Sequence, residues 1–435
     1  MTFDQMVTLA VLAIVVGLLI WDKIRSDVVA LAGAAVLLVS GAVRPGEIES
    51  AFGSPAIITL ASLFVIVYAI ELSGLLDRLI AVATVVCRRI GAIGLWILIG
   101  LCGALSAFLN NTPIVVLAAP VIKETAETLS LSARRFLIPL SYIAILGGTC
   151  TLIGTSTNLL VNDMARVAGE PQFGLFDVTP VGLTIAVAGA IYLFFASGKL
   201  ARTPAEETLE LDQALESPTR TRDGQPGAGR VFAPHRPLRP WRALLSVAIF
   251  AGAVTAAAMG WTPIAAATFA GAILLILLRV ITAEEAYSGL RPDVLLLIVG
   301  MVVIGIAMER SGLATVVTNA MIGTVEPMGP LVALIMLYGL TLFLTELLSN
   351  ATIAVLVTPI AIALAESLGV SPKPFLVAVM MAGSAAFATP FGYQTNVLVY
   401  KLGGYSYMDF VRIGLPLNLI TWVVGVIAIA AVFPF

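Results

Sequence analysis

One histidine, His235, and three cysteines are all that the 435 residues offer as nitrogen or sulfur ligands for a metal or for thiol chemistry. Cys87, Cys102 and Cys150 show neither metal-ligand spacing nor a disulfide framework, so they read as small core-filling thiols. His235 lies in the most polar stretch, which argues against histidine catalysis inside an apolar core. Charge is just as scarce. Only 11% of residues are Asp, Glu, Lys or Arg, against roughly 25% in a soluble domain. The net charge of -2 gives no bulk pull toward nucleic acid or anionic lipid, and no nucleic-acid partner is expected. No nucleophile–base pair is evident, so an enzyme is not expected either. No cleavable leader is evident before the first apolar run, Met6–Trp21.

Apolar residues make up 59% of the chain and the mean hydropathy is +1.03. The apolar runs are continuous, which excludes the alternating strands of a membrane β-barrel. The composition therefore predicts an all-α polytopic membrane protein whose partner is the lipid bilayer. Runs long enough to span, about 20 residues each, fall at 6–21, 28–43, 55–74, 135–161 and 178–197. In the second half they fall at 242–260, 262–280, 293–312, 374–400 and 411–433. Two further stretches, 92–129 and 330–368, are too long for one span. Each is interrupted at its middle, by Asn110-Asn111-Thr112-Pro113 and by Ser349-Asn350-Ala351-Thr352. The polar run 198–241 reads as a linker.

The halves repeat. A shift of 239 carries Pro120, Glu127 and Phe136 onto Pro359, Glu366 and Phe375, and Asn111 onto Asn350. A shift of 238 carries Glu71-Leu-Ser-Gly74 onto Glu309-Arg-Ser-Gly312 and Thr151–Asn158 onto Thr389–Asn396. The organisation expected is a first repeat, 1–197, and a second, 242–435, joined by the 198–241 linker. With the N-terminus outside, 20 of the 24 Lys and Arg residues fall on the cytoplasmic side. Each repeat then holds five spans, an odd number, so the second is inverted relative to the first. Inverted repeats are a hallmark of secondary transporters.

The interrupted stretches read as re-entrant hairpins, although two arms of about 18 residues could also just cross. Broken backbone at membrane depth is tolerated only where protein buries it or a cavity adjoins it. Each tip is polar, with Ser106 and Asn110 at the first and Thr345 and Ser349 at the second. Asn111 and Asn350 offer amide oxygens for a cation and amide N–H groups for an anion. The second arm of each hairpin starts at the tip and points its positive end there. Thr151–Asn158 and Thr389–Asn396 read as breaks inside spans, with Gly154, Pro390 and Gly392 permitting the unwinding. Close helix packing through small residues is the other use of such segments. Glu71 and Glu309, near span ends, read as structural, and Glu346 is the carboxylate at the second tip that a proton could use. Hydroxyls, amides and carbonyls suit Na+ better than a proton relay. No Lys or Arg falls in a tip or a break. From the residues alone the substrate is a small polar solute.

These segments resemble the divalent anion/sodium symporters, the sodium–sulfate/carboxylate family of the ion transporter superfamily. The resemblance rests on Glu71-Leu-Ser-Gly-Leu, Asn110–Pro120, Gly154-Thr, Ser349-Asn350, Pro390 and Gly404-Tyr405, and so covers nearly the whole chain. It implies a homodimeric elevator in a bacterial inner membrane, with Na+ as the coupling ion. It implies one Na+ site at Ser106, Asn110, Asn111 and Gly154, and a second at Thr345, Asn350 and Ala388. Substrate would touch Asn111, Thr112, Asn350, Pro390 and Thr352. Three features depart from the family pattern. Asn110 stands where the first tip has serine, and Ala351 where the second has threonine. Thr155–Asn158 and Tyr393–Asn396 stand where carboxylate carriers often show Thr-Pro-Pro-Asn. These changes move the expected substrate, a small inorganic or carboxylate anion, from dicarboxylate toward sulfate. A proton-coupled or arsenite-type carrier, or a Na+/H+ antiporter, of the same superfamily would share the repeat.

The charge split sets a test. With Gln225 replaced by cysteine in a cysteine-free background, a membrane-impermeant maleimide should label only after the cells are opened. Labelling of intact cells would refute the orientation.

Overall fold

A computed structural model of the chain describes residues 2–21, 24–200, 237–313 and 329–435. Residues 201–236, most of the expected linker 198–241, lie outside the described residues. Among the described residues the fold is all-helical. Apolar segments have no water in which to satisfy backbone groups, so each closes its hydrogen bonds within itself as a helix. The first half runs α1 (Phe3–Trp21), α2 (Ser26–Val39), α3 (Pro45–Phe52), α4 (Pro55–Leu72), α5 (Leu75–Ile90), α6 (Ala92–Ser106), α7 (Asn111–Thr128), α8 (Arg134–Gly148), α9 (Ser156–Val167) and α10 (Thr179–Ala196). The second runs α11 (Pro240–Ala258), α12 (Ile264–Leu277), α13 (Ala283–Gly289), α14 (Pro292–Ser311), α15 (Pro330–Thr345), α16 (Asn350–Leu368), α17 (Lys373–Gly383), α18 (Gln394–Leu402) and α19 (Tyr407–Val432).

Six stretches among the described residues, 45–72, α10, α11, α14, α16 and α19, are long and apolar enough to cross a bilayer by length and composition. The runs 135–161 and 374–400 do not form single helices. The first is α8 and α9 around a non-helical 149–155, the second α17 and α18 around 384–393. The first arm of each interrupted stretch is short, 15 residues in α6 and 16 in α15. At 1.5 Å per residue they rise about 22–24 Å, less than the hydrocarbon core of about 30 Å. The first tip lies inside the protein, with Ser106, Leu109 and Asn111 buried; at the second, Thr345 is buried and Leu347 and Ser349 are exposed.

Local chemistry explains why the same motifs recur. Gly74 and Gly312, the mates in Glu-x-Ser-Gly, both have φ of +72° and end α4 and α14 in the left-handed conformation. The preceding serine works identically in each, with Ser73 Oγ donating to Ile70 O and Ser311 Oγ to Met308 O. Two short helices share a start that sequence patterning had not shown. Glu47 accepts the Arg44 N–H at 2.6 Å, and Glu285 the Thr282 N–H at 2.8 Å. Sequence patterning also gave no element to 75–90. The structure makes it α5, whose apolar residues at helical spacing share the helix with Asp77, Arg78, Arg88 and Arg89. Such a helix lies along a surface and escapes a search for long apolar runs.

The helices pack in two groups, and each half of the chain contributes to both. One group is α1, α2, α4, α11, α12 and α14, with α2 laid along α14 and α4 along α12. The other is α6–α10 with α15–α19, where α6 packs on α8, α10 on α19, α16 on α9 and α18 on α7. The breaks are backed by crossing helices at glycines. A Cβ on Gly182 of α10 would stand 2.7 Å from the Thr149 carbonyl oxygen, and one on Gly414 of α19 would collide with that of Phe387.

Contacts between element ends sort them into two ends of the molecule. At one, Arg239 N donates to Ser73 O at 2.8 Å, and Lys123 Nζ to Leu402 O at 3.4 Å. At the other, Arg310 pairs with Glu47 at 3.0 Å, Ser54 Oγ donates to Asp163 at 2.9 Å, and Phe173 meets the Phe433 ring. The first end carries a buried ion pair. Arg134, 4% exposed, reaches Asp409 at 2.7 Å, the carbonyls of Gly403 and Gly404, and the face of Tyr405. It ties the start of α8 to the α18–α19 turn.

Removing one partner of a buried, hydrogen-bonded ion pair leaves an uncompensated charge and costs about 3–5 kcal/mol. Arg134→Ala should therefore lower the melting temperature of the purified protein strongly, whereas Arg310→Ala, at a pair accessible on both sides, should leave it within a degree or two. Equal melting for both variants would remove Arg134 from this role.

Candidate functional site

The first tip is held by its own side chains. Ser106 Oγ donates to Asn111 Oδ1, and Asn111 Nδ2 donates to the Tyr393 hydroxyl at 2.9 Å. Thr155 also reaches that hydroxyl. Thr112 Oγ1 lies 3.4 Å from Gln394 Oε1. The second tip repeats the pattern, with Thr345 Oγ1 donating to Asn350 Oδ1 at 3.0 Å and placed 2.9 Å from the Gly383 carbonyl oxygen. One hydroxyl proton serves one of these acceptors, and the other oxygen is left facing the same point. Ser349 caps α16 by accepting the Thr352 N–H at 3.2 Å, and their hydroxyls meet at 2.7 Å. Asn110 precedes α7 without a side-chain cap, so the first-turn N–H groups of α7 stay open to an acceptor.

The breaks repeat each other as well. Thr151 Oγ1 accepts the Gly154 N–H at 3.1 Å, and Thr389 Oγ1 the Gly392 N–H at 3.1 Å. Asn158 Nδ2 donates to Thr151 O, and Asn396 Nδ2 to Thr389 O. Oxygen crowds the first break. A Cβ on Gly148 would stand 2.7 Å from Asn111 Oδ1 and 3.2 Å from Gly154 O; one on Gly154 would meet Gly148 O and stand 2.7 Å from Ala107 O. Only glycine fits where these oxygens converge, and oxygens so placed are hard-cation ligands.

The second break has a different fastening. Glu346 Oε1 accepts the N–H groups of Phe387 at 2.8 Å and Ala388 at 2.7 Å and the Asn418 amide at 2.7 Å; Oε2 accepts the Thr389 N–H at 2.9 Å. The carboxylate staples 387–389 to the end of α15. Its mate in the first tip is Ala107, whose carbonyl instead receives the Thr151 hydroxyl.

Tips and breaks meet at one cavity of about 430 Å³. Asn110, Thr112, Gly154, Asn350 and Thr352 line it; Ser106, Asn111, Thr345 and Pro390 are not among the lining residues. Ala388 does not line it either, and its N–H is engaged by Glu346. The opposite wall is Leu19, Leu60, Leu63, Phe64, Val67, Arg291 and Val294. These come from the end of α1, the middle of α4 and the start of α14. Tyr393 and Gln394 belong to the second break that the sequence marks, but no site role is expected of them there; Asn418 and Arg291 are not expected at the site at all. Asn418 left a signal as a lone amide in the otherwise apolar Ile413–Phe435. Arg291 left none beyond being a charge at a span end.

The family described as Citrate transporter matches residues 16–364 and 348–435. The chain is similar to the uncharacterized transporter sll0640 of Synechocystis, with 25% identity covering 95% of this chain and 94% of the relative. That alignment runs over 582 residues, so the relative carries segments this chain lacks. The sodium-dependent dicarboxylate transporter SdcS of Staphylococcus aureus is 25% identical over 92% of this chain and 80% of its own length. Sodium/sulfate cotransporter 1 of Chlamydomonas reinhardtii is 44% identical over 103 residues, 22% of this chain and 12% of that protein. The crystal structure of the Alcanivorax borkumensis YdaH transporter shares the fold, with a TM-score of 0.62 at 13% identity over 88% of this chain and 86% of that one.

Glu346→Gln separates a staple from a proton carrier. Glutamine keeps one acceptor oxygen and turns an amide donor toward backbone N–H groups, at about 1–3 kcal/mol for each partner left unmet. The expected result is a melting temperature several degrees lower. A variant that melts like the parent but transports with no pH dependence would make Glu346 a proton carrier instead.

Proposed function

We propose that the chain, which belongs to the citrate transporter family, takes up a small divalent anion with Na+ by an elevator mechanism, as a homodimer. The observation that carries this is the convergence of both polar tips and both helix breaks on one cavity. The first Na+ would be held by Ser106, Asn110, Asn111 and Gly154, joined by the carbonyls of Gly148 and Ala107 that crowd the same point. The second would be held by Thr345, Asn350 and the Ala388 region, joined by the Gly383 carbonyl. The ligands are neutral oxygens, which favours Na+ over a proton relay. Substrate would lie against Thr112, Asn350 and Thr352, with Asn111 and Pro390 behind them.

The matched hydrogen bonds of tips, breaks and helix stops support two inverted repeats, 1–197 and 242–435, with 198–241 cytoplasmic. The two packed groups support a fixed scaffold and a moving transport part.

Sulfate suits the site better than a four-carbon dicarboxylate. Its charge is compact and can be held by the α7 N-terminus and a few amides without a full cation at the tips, and Asn110 adds one such amide. The sodium/sulfate relative agrees with this. A second reading has its own support: the Thr352 hydroxyl lines the cavity where Ala351 lacks one, and SdcS is named for dicarboxylate.

The test is uptake into proteoliposomes of labelled sulfate, succinate and citrate, each with and without a Na+ gradient. Sulfate uptake should require Na+ and be suppressed by excess sulfate far better than by excess succinate. Asn111→Ala and Asn350→Ala should each raise the Na+ requirement roughly tenfold to a hundredfold, from about 1–3 kcal/mol of unpaired partners. Uptake driven by a proton gradient and indifferent to Na+ would replace this reading with a proton-coupled one. Succinate as the better competitor would reassign the substrate and make Thr352 its donor.

A further inference from the structure

We infer that Arg291 is the cationic recognition group of the cavity, the residue that receives the second charge of a divalent anion. This rests on the anion-transport reading above. The wall facing the tips is aliphatic and aromatic apart from Arg291, which precedes α14 at residues 292–311. Its side chain is 37% exposed at the cavity, so the guanidinium is accessible to a solute entering there. Two nearby motifs of the same form show how loosely it is held. Arg25 and Asp27 at the start of α2 pair through bonds of 3.1 and 2.8 Å. Arg291 and Asp293 at the start of α14 pair at 3.4 and 3.2 Å. A charge-assisted N–H···O bond is normally about 2.7–2.9 Å. Asp293 is also 45% exposed along its side chain, so water competes for its carboxylate. The guanidinium thus keeps its planar, two-pronged donor capacity for a better acceptor, and carboxylate and sulfate oxygens both match it.

The other acid at the cavity does not compete. Glu346 lies on the tip side, with its oxygens taken by three backbone N–H groups and the Asn418 amide. An anion between the walls would meet neutral donors at Thr112, Asn350 and Thr352 and a full positive charge at Arg291. That arrangement favours anions of two charges over those of one. It also makes Asp293 a built-in competitor whose removal strengthens binding.

The experiment uses the purified full-length protein in Na+ buffer. Apparent sulfate affinity is read from sulfate-dependent thermal stabilisation, and KM and kcat from proteoliposome uptake. Arg291→Gln should weaken apparent sulfate affinity about tenfold, with kcat changed less than KM, and Arg291→Lys should restore part of it. Asp293→Asn should move the other way, tightening apparent affinity about twofold to threefold. Both effects should shrink as choline chloride is raised, because partly exposed charges are screened within about 8–10 Å near physiological ionic strength. Arg291→Gln with wild-type affinity would overturn the inference while leaving the transport reading intact. If Arg291→Gln does not fold, Asp293→Asn decides, and an unchanged or weaker affinity there overturns the proposal. A wild-type protein that neither binds nor moves any of the anions would remove the transport reading and this inference together.

Discussion

A chain that breaks its helices at membrane depth must find partners for every freed N–H and C=O group, because lipid supplies none. That constraint orders the rest of the structure. Tip hydroxyls turn back onto Asn111 and Asn350, break threonines accept glycine N–H groups, and Asn158 and Asn396 cover the carbonyls beside them. The groups left over face inward, and they are the polar atoms around the cavity. Site and scaffold are therefore one hydrogen-bonding problem with a small surplus, and the surplus is where ions and an anion would bind.

The same constraint explains how two halves with little identity keep one plan. Conserved pairings need few residue types. Serine or threonine can cap an asparagine, as Ser106 and Thr345 do, and a glycine can end a helix after any Glu-x-Ser. Where the halves diverge, the fastening diverges too. The first break closes through a hydroxyl onto the Ala107 carbonyl, the second through the Glu346 carboxylate and Asn418. One break is pinned by neutral groups and the other by a charge, so they differ in stiffness although they share a backbone course.

Much of this was legible in the sequence because periodicity and interruption are local properties. Long apolar runs, polar interruptions at 110–113 and 349–352, and glycine or proline in 151–158 and 389–396 mark helices, tips and breaks without tertiary knowledge. Helix α5 was not legible, since its alternating faces lower its mean hydropathy below that of a span. Nor were contacts between distant elements. Tyr393 meeting Asn111, Asn418 meeting Glu346 and Arg291 facing the tips join residues up to 282 positions apart, and no motif spans such a distance. Arg291 sits at a span end, where most Lys and Arg residues of a membrane protein sit, so its position alone carries no signal.

The short arms α6 and α15 have an electrical consequence. A water-filled cavity that reaches the tips carries the potential of one compartment deep into the protein. The transmembrane voltage then falls mainly across the remaining layer between the tips and the far face. A unit charge crossing the full drop gains about 2.3 kcal/mol per 100 mV. An ion held at the tips, as proposed, would need to travel only a short way to sense most of that field. The depth of the cavity, rather than the thickness of the bilayer, sets how strongly membrane voltage acts on a transport step that carries net charge.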